Sequence, residues 1–461
     1  MDSNQPTLTN FLQHLRTENK PFILRRDIAP PQWSDEVLHR YNYDQNPELY
    51  ALLGVAEIQP WQRVRILFQL LQRSRATISN EIRCTLERVT DLLLAVLHPD
   101  QVLTVFLAVR RVRANHKHTS RAILSYIFNH PYLEDLALKR RPAVVDAIEH
   151  ALGKDVARAC AKIICESVGD EIYLRRNLLR FAQNPQRVRA IVPFLYRFDS
   201  LTVNRQQVAV TSSVEAYTNV HKQYTDKMEQ KHERPKTITA TNRGEIAATL
   251  VHLYRGGASV ELQQALDEYV EKAAHQLPKF KGKMALVLDV SASTRSYGDR
   301  EFCTLAQSVA LQMVLQRCTN LQVQTVGGSG SLPIPEGNTD LSTAVLDALE
   351  TEPDLVAIVS DGYENIYPGD LESVVKALPA AGVQIPVVFC HSKFTNQDDL
   401  SLRRPAEIPQ LEFWHQDDFE DVLLSLFLTA TGAGGEECLR EFLIEKLTLV
   451  EKELSVWTTK N

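Results

Sequence analysis

Five residues stand out for the atoms they carry. Asp289, Ser291 and Ser293 alternate within Asp-Val-Ser-Ala-Ser, Thr339 follows Gly337-Asn338, and Asp361 sits in Ser-Asp-Gly. Two carboxylates and three hydroxyls are hard oxygen donors, which suit Mg²⁺ or Mn²⁺. The alternation lets one loop direct several oxygens toward one point, and Thr339 and Asp361 could approach from neighbouring loops. Six-fold coordination would leave positions for water and for an acidic group on a partner. Asp340 and Glu364 stand beside these residues and read as sources of negative field or as outer contacts rather than as ligands.

Each of these residues follows a strand-like run or precedes a helix-like one. Met284–Asp289 is a continuous apolar run, as a strand buried on both faces should be. A helix is predicted over Phe302–Arg317, a strand over Leu321–Val326 and a helix over Leu341–Leu349. A strand follows at Leu355–Ser360, a helix at Leu371–Leu378, a strand at Ile385–Cys390 and a closing helix at Phe419–Leu428. Alternation of this kind predicts an α/β, doubly wound parallel sheet over 284–432. Ligand sites in such sheets lie at the carboxyl ends of the strands. Residues 433–461 read as a C-terminal helix. Gly327-Gly-Ser-Gly330 reads as a flexible loop rather than a nucleotide cradle.

Asp-x-Ser-x-Ser, a later Thr and a later Asp in this strand context resemble the metal-ion-dependent adhesion site of von Willebrand factor A domains. That resemblance implies the fold and a divalent ion held by Asp289, Ser291, Ser293, Thr339 and Asp361. Only about a dozen residues separate Val326 from Thr339, so the middle of the domain is shortened.

The part before this domain is helical. Ile82, Leu86, Val89, Leu93 and Val96 recur at steps of three and four, one stripe of a helix over Ile82–Leu97. Pro142 stands where a first helical turn tolerates it, and Gly153 can end that helix. Val156, Cys160, Ile163 and Ile164 form another stripe. Successive short amphipathic helices over 1–204 predict an all-α, HEAT-like solenoid. Residues 205–245 are polar and read as a linker or excursion, and 246–283 as a helical continuation leading to the boundary.

Charge divides the same way. Residues 1–283 hold 40 Lys and Arg against 30 Asp and Glu, whereas 284–461 hold 11 against 27. Residues 101–200 are the most basic, with 17 against 9. Arg110, Arg111, Arg113, His116, Lys117, His118 and Arg121 form the densest patch. If that patch is helical, Arg110, Arg113, Lys117 and Arg121 share a face. A second patch holds Arg175, Arg176, Arg180, Arg187, Arg189 and Arg197, with Tyr173, Phe181 and Tyr196 interleaved. Arg pairs bidentately with phosphate and aromatics stack on unpaired bases, so both are candidate RNA-binding surfaces. The bland alternative is a set of solvated helix faces with core aromatics. His116 and His118 have no Cys or carboxylate at metal-ligand spacing.

The whole layout resembles the Ro autoantigen (TROVE) family. The likeness rests on Ala285–Ser293, Asn338–Asp340, Val356–Asn365 and Cys390–Asn396 with Asp398 and Asp399. The Glu261–His275 helix leading into the first strand adds to it. The resemblance implies a non-catalytic ribonucleoprotein scaffold that binds small structured RNA on its helical part and docks a partner through the metal. The alternative is an adaptor whose metal site takes an acidic loop of a protein such as a MoxR-type AAA+ ATPase.

Other classes find no support in the chain. Gly and Pro, 18 and 21 residues, are too few for collagen-like or low-complexity sequence. No Gly-Lys-Ser/Thr phosphate loop and no Gly-x-Ser-x-Gly elbow is present, and no general base has an obvious role. Seven scattered cysteines and a polar start from Met1 to Lys20 point to a cytoplasmic protein without disulfides. No apolar run approaches the roughly 18 residues of a membrane span.

Overall fold

The computed structural model describes residues 7–24, 33–167, 169–196, 245–257, 259–330, 332–362, 364, 366–393, 408–430 and 434–460. The chain divides into two compact units, one of residues 1–231 with 446–461, the other of 232–445. The expected linker therefore lies outside the described residues, apart from Glu245. No described helix is long and apolar enough to cross a membrane.

The first unit is helical. Helices Pro47–Leu52, Pro60–Gln72, Pro99–Arg111 and Pro185–Tyr196 each begin on proline, whose missing N–H would be unsatisfied in a first turn anyway. The helix expected at Ile82–Leu97 runs Asn80–Val96, with the Ser79 hydroxyl accepting from the Ile82 amide. Its stripe Leu86, Val89 and Leu93 is buried. Leu133–Leu152 bends at Arg140, two residues before Pro142, and ends at Gly153 with φ 86°. Helices pack mainly on near neighbours in sequence: Pro60–Gln72 on Pro99–Arg111, and Lys117–Asn129 on Leu133–Leu152. The last part of helix Gly434–Lys460 joins this unit, where Arg88 donates to Glu451 at 2.6 Å.

The second unit holds a parallel sheet of β1 (Lys283–Val290), β2 (Asn320–Gly327), β3 (Leu355–Ser360), β4 (Val387–Ser392) and β5 (Gln410–Phe413), in the order β2-β1-β3-β4-β5. Alternation sorts the side chains. Met284, Leu286, Leu288 and Val290 face a layer that includes helix Cys303–Cys318, while Ala285 and Val287 face one with Leu341, Val345 and Leu371. The chain leaves β1 for β2 on one side and returns to β3 on the other. This reversal opens a crevice at the carboxyl ends of β1 and β3, where such sheets bind ligands.

Three expectations need correction. Helices Ile246–Tyr254 and Val260–His275 do not continue the first unit. Leu250, Val251, Leu266 and Val270 share a core with Leu305 and Val309. The strand expected at Ile385–Cys390 is displaced to Val387–Ser392 because Pro386 cannot donate to the ladder; its carbonyl instead accepts from Val356. β5 was not foreseen at all.

Candidate functional site

Asp289 lies one residue before the end of β1 and is fully buried. It shares a sheet face with Ser360, whose hydroxyl donates to Asp289 Oδ2 at 2.6 Å. The Ser291 amide donates to Oδ1 at 2.9 Å. The Ser291 and Ser293 hydroxyl oxygens are 3.0 Å apart. The Ala292 amide donates to the Gly337 carbonyl at 3.2 Å, joining the first loop to the segment that leads into Thr339. Thr339 is 1% exposed, and Asp361, 6% exposed, directly follows Ser360. The three chain segments named from sequence therefore meet at one sheet edge, in the crevice beside β1 and β3.

Burial pushes the Asp289 carboxyl above its ordinary range, while hydrogen bonds from Ser360 and Ser291 pull it down. Among the described residues, no cationic side chain pairs with it. A buried carboxylate without a countercharge is costly. A divalent cation would remove that cost, and Asp289, Ser291, Ser293, Thr339 and Asp361 supply oxygens of the right hardness. Asp340 accepts from the Thr343 amide at 3.1 Å and from its hydroxyl at 2.9 Å, capping helix Leu341–Leu349. Glu364 accepts from the amides of Gly369 and Leu371 at the start of helix Asp370–Ala377. Both acids hold helix starts.

Two supporting features escaped the sequence reading. Ser360 fixes the Asp289 carboxylate, and its signal was its place, one strand over on the same face. The Gly327–Gly330 segment is not simply a flexible loop. A Cβ on Gly327 would strike the carbonyls of Glu336 and Val290, and one on Gly328 the carbonyl of Ile334. The Gly328 and Glu336 amides both donate to Val290 O, at 3.3 and 3.1 Å. The two glycines thus let the β2 loop close against the end of β1.

No family model and no curated protein matches the chain. The family resemblance therefore rests on the residues quoted above.

The basic patches look different in three dimensions. Arg110 and Lys117 are not on one helix. The first helix ends at Arg111, Arg113 adopts φ 56°, and the next begins at Lys117. Arg110 pairs with Asp146 at 2.5 Å. His116 and His118 stack on each other at 5.5 Å and contact the carbonyls of Gln72 and Leu70, while the Thr119 hydroxyl donates to Leu71 O. These residues cap the last turn of helix Pro60–Gln72. Burial, Arg75 and His116 lower His118 to about 4, so it is neutral at pH 7 and offers phosphate no charge.

In the second patch, Arg187 makes a fork with Glu134 and also donates to the carbonyls of His130 and Pro131. Glu171 takes both Arg175 and Arg189. Arg176 is exposed, and Arg197 lies outside the described residues. Arg113 is exposed as well, and of the exposed cations Lys117 and Arg121 of the first patch and Arg180 of the second come together. All three are exposed and line one groove of about 640 Å³.

His14, Asp35 and His39 lie within one another's reach and could be taken for a metal cluster. The surroundings argue otherwise. Arg65 Nε is 2.8 Å from Asp35 Oδ1, and His39 already contacts the Tyr50 hydroxyl and Gln62 Oε1, each at 2.8 Å. A guanidinium on the carboxylate repels a cation. This is a buried polar network of the helical unit.

Proposed function

We propose that the chain is a non-catalytic binding protein that docks an acidic side chain of a protein partner through a divalent cation at the carboxyl ends of β1 and β3. The observation that carries this reading is the buried Asp289, which has hydroxyl and amide partners but, among the described residues, no countercharge. When bound, the ion supplies a positive centre with positions left for a ligand from outside. Asp289 and Asp361 contribute charge, and Ser291, Ser293 and Thr339 contribute neutral oxygens. Ser360 holds the Asp289 carboxylate in one orientation. The loops after β1, β2 and β3 also carry the exposed apolar residues Tyr297, Ile334, Ile366 and Tyr367. Apolar contacts around a polar centre are the pattern of a protein-docking surface. The von Willebrand factor A-like reading of this unit is consistent with the parallel sheet and its strand order.

A second reading, RNA binding on the helical unit as in Ro-like proteins, draws on the convergence of Lys117, Arg121 and Arg180. Four of the arginines first assigned to it are held by carboxylates, so its footing is narrower than the charge count implied.

Capture of cellular partners on wild-type and Asp289→Ala protein in Mg²⁺ separates the two. Metal docking predicts partners released by EDTA from wild type alone and indifferent to nuclease. RNA binding predicts release by nuclease and equal recovery on both. Equal EDTA-insensitive recovery on both proteins would rule out the docking reading.

A further inference from the structure

The groove on the helical unit lies between the start of helix Lys117–Asn129, the end of helix Leu133–Leu152 and the turn Leu179–Phe181. Its volume of about 640 Å³ falls within the roughly 300–1,000 Å³ of small-molecule sites. Two stretches of sequence about sixty residues apart, 117–121 and 180–181, meet there. Among the described residues, none of Lys117, Arg121 and Arg180 forms a direct ion pair, although the charge of Arg121 acts on Asp91. The neighbouring arginines that do pair lie outside the lining, and among the described residues the lining contains no carboxylate.

The walls differ in chemistry. The lining includes the three cations together with Ser120 and Ser125. Lys117, Ser120 and Arg121 belong to the first turns of a 13-residue helix with no acidic residue in its first turn and no side-chain cap at His116. The positive end of that helix adds to the same field. Phe181 lines the groove, with the Arg180 guanidinium 4.6 Å from its ring centre. A guanidinium over an aromatic ring offers a surface on which a further aromatic ring can stack. Ala151, Leu152 and Val156 add apolar surface to the lining. Asn115 and Asn177 also line it, and there Asn115 Oδ1 accepts from Ser120 and Asn177 Nδ2 donates to Tyr173 O.

We propose that this groove binds a nucleoside phosphate, with the phosphate held by Lys117, Arg121 and Arg180 and the base stacked at Arg180–Phe181. A bare anion site would need no aromatic plane, and an apolar-ligand site would not gather three cations. The proposal needs neither the metal site nor a bound polynucleotide. The same chemistry could come from the terminal nucleotide of an RNA strand, and the test keeps the two sources apart.

The test is calorimetric titration of the full chain with AMP, adenosine, inorganic phosphate and a 5′-phosphorylated single-stranded RNA 8-mer. AMP is expected to bind at least tenfold more tightly than adenosine or phosphate alone. Arg121→Gln and Arg180→Gln should each weaken AMP by tenfold or more, and both residues are exposed, so the fold is retained. Phe181→Leu should weaken AMP and leave phosphate binding unchanged. Absence of AMP binding at millimolar concentration overturns the proposal. So does phosphate binding as tightly as AMP, or binding of the 8-mer without AMP. Unchanged thermal unfolding of the variants confirms that a loss is local.

Discussion

Replacing Lys117, Arg121 and Arg180 together by Gln is the sharpest probe of the basic surface, because these three line one groove. Each phosphate neutralised on a single strand contributes about 0.7 to the slope of log affinity against log salt. If all three groove cations contact phosphate, the variant's slope falls by about 2.1. Between 50 and 200 mM salt, the wild type should then lose about 18-fold more affinity than the variant. The comparison set is Arg175, Arg187 and Arg189, also changed to Gln. These three already face Glu171 and Glu134, so their removal should change the slope by less than about 0.7. It should instead cost stability, mainly through the Arg187 fork and its two carbonyl contacts, on the order of 1–2 kcal/mol. Fluorescence anisotropy of a labelled single-stranded RNA over a salt series gives both slopes. Equal slopes for wild type and the groove variant, or a larger change in the comparison set, would refute the reasoning from pairing.

The buried network makes a different demand. Asp35→Ala leaves Arg65, 1% exposed, without its countercharge and should cost roughly 3–5 kcal/mol in urea unfolding; a loss under 1 kcal/mol would mean the network is incidental. His415 offers a pH test in the α/β unit. Burial alone would lower it, but Asp417 and Glu245, at 3.1 and 3.2 Å, raise it to about 9. A group raised in the folded state stabilises fully below its unfolded value near 6.5 and loses that contribution as pH rises through about 9. The loss is on the order of 3 kcal/mol, and His415→Gln should flatten the unfolding profile over that window; an unchanged profile would acquit His415. Gly328→Ala should force the Ile334 backbone away and destabilise by roughly 1–3 kcal/mol, with weaker metal affinity, read by thermal unfolding and titration; a neutral substitution would show the loop to be loose.

Much of the α/β unit was legible because both of its periods are strong. β1 and β3 read as continuous apolar runs, and Asp289 and Asp361 mark where they end. β5 was illegible for the converse reason. Gln410-Leu-Glu-Phe413 is four residues of mixed polarity at a sheet edge, and its pairing with β4 is tertiary information. The helices at 246–275 showed their amphipathic stripes, but a stripe does not say which core it joins. The basic patches show the limit of local patterns most clearly. Arg110, Arg187 and Arg189 find Asp146, Glu134 and Glu171 on other helices, at separations no local pattern reports. The same long-range folding that neutralised those arginines brought Arg180 beside Lys117 and Arg121.

The central claim is that the carboxyl ends of β1 and β3 hold a divalent cation through Asp289. Titration of the metal-free full chain with Mn²⁺, followed by electron paramagnetic resonance and calorimetry, tests it directly against Asp289→Asn. The account predicts one bound ion in the wild type, none in the variant, and a metal-free variant at least as resistant to heat as the metal-free wild type, since a buried uncompensated charge has been removed. Equal Mn²⁺ binding by the two proteins, or none by the wild type, would contradict it.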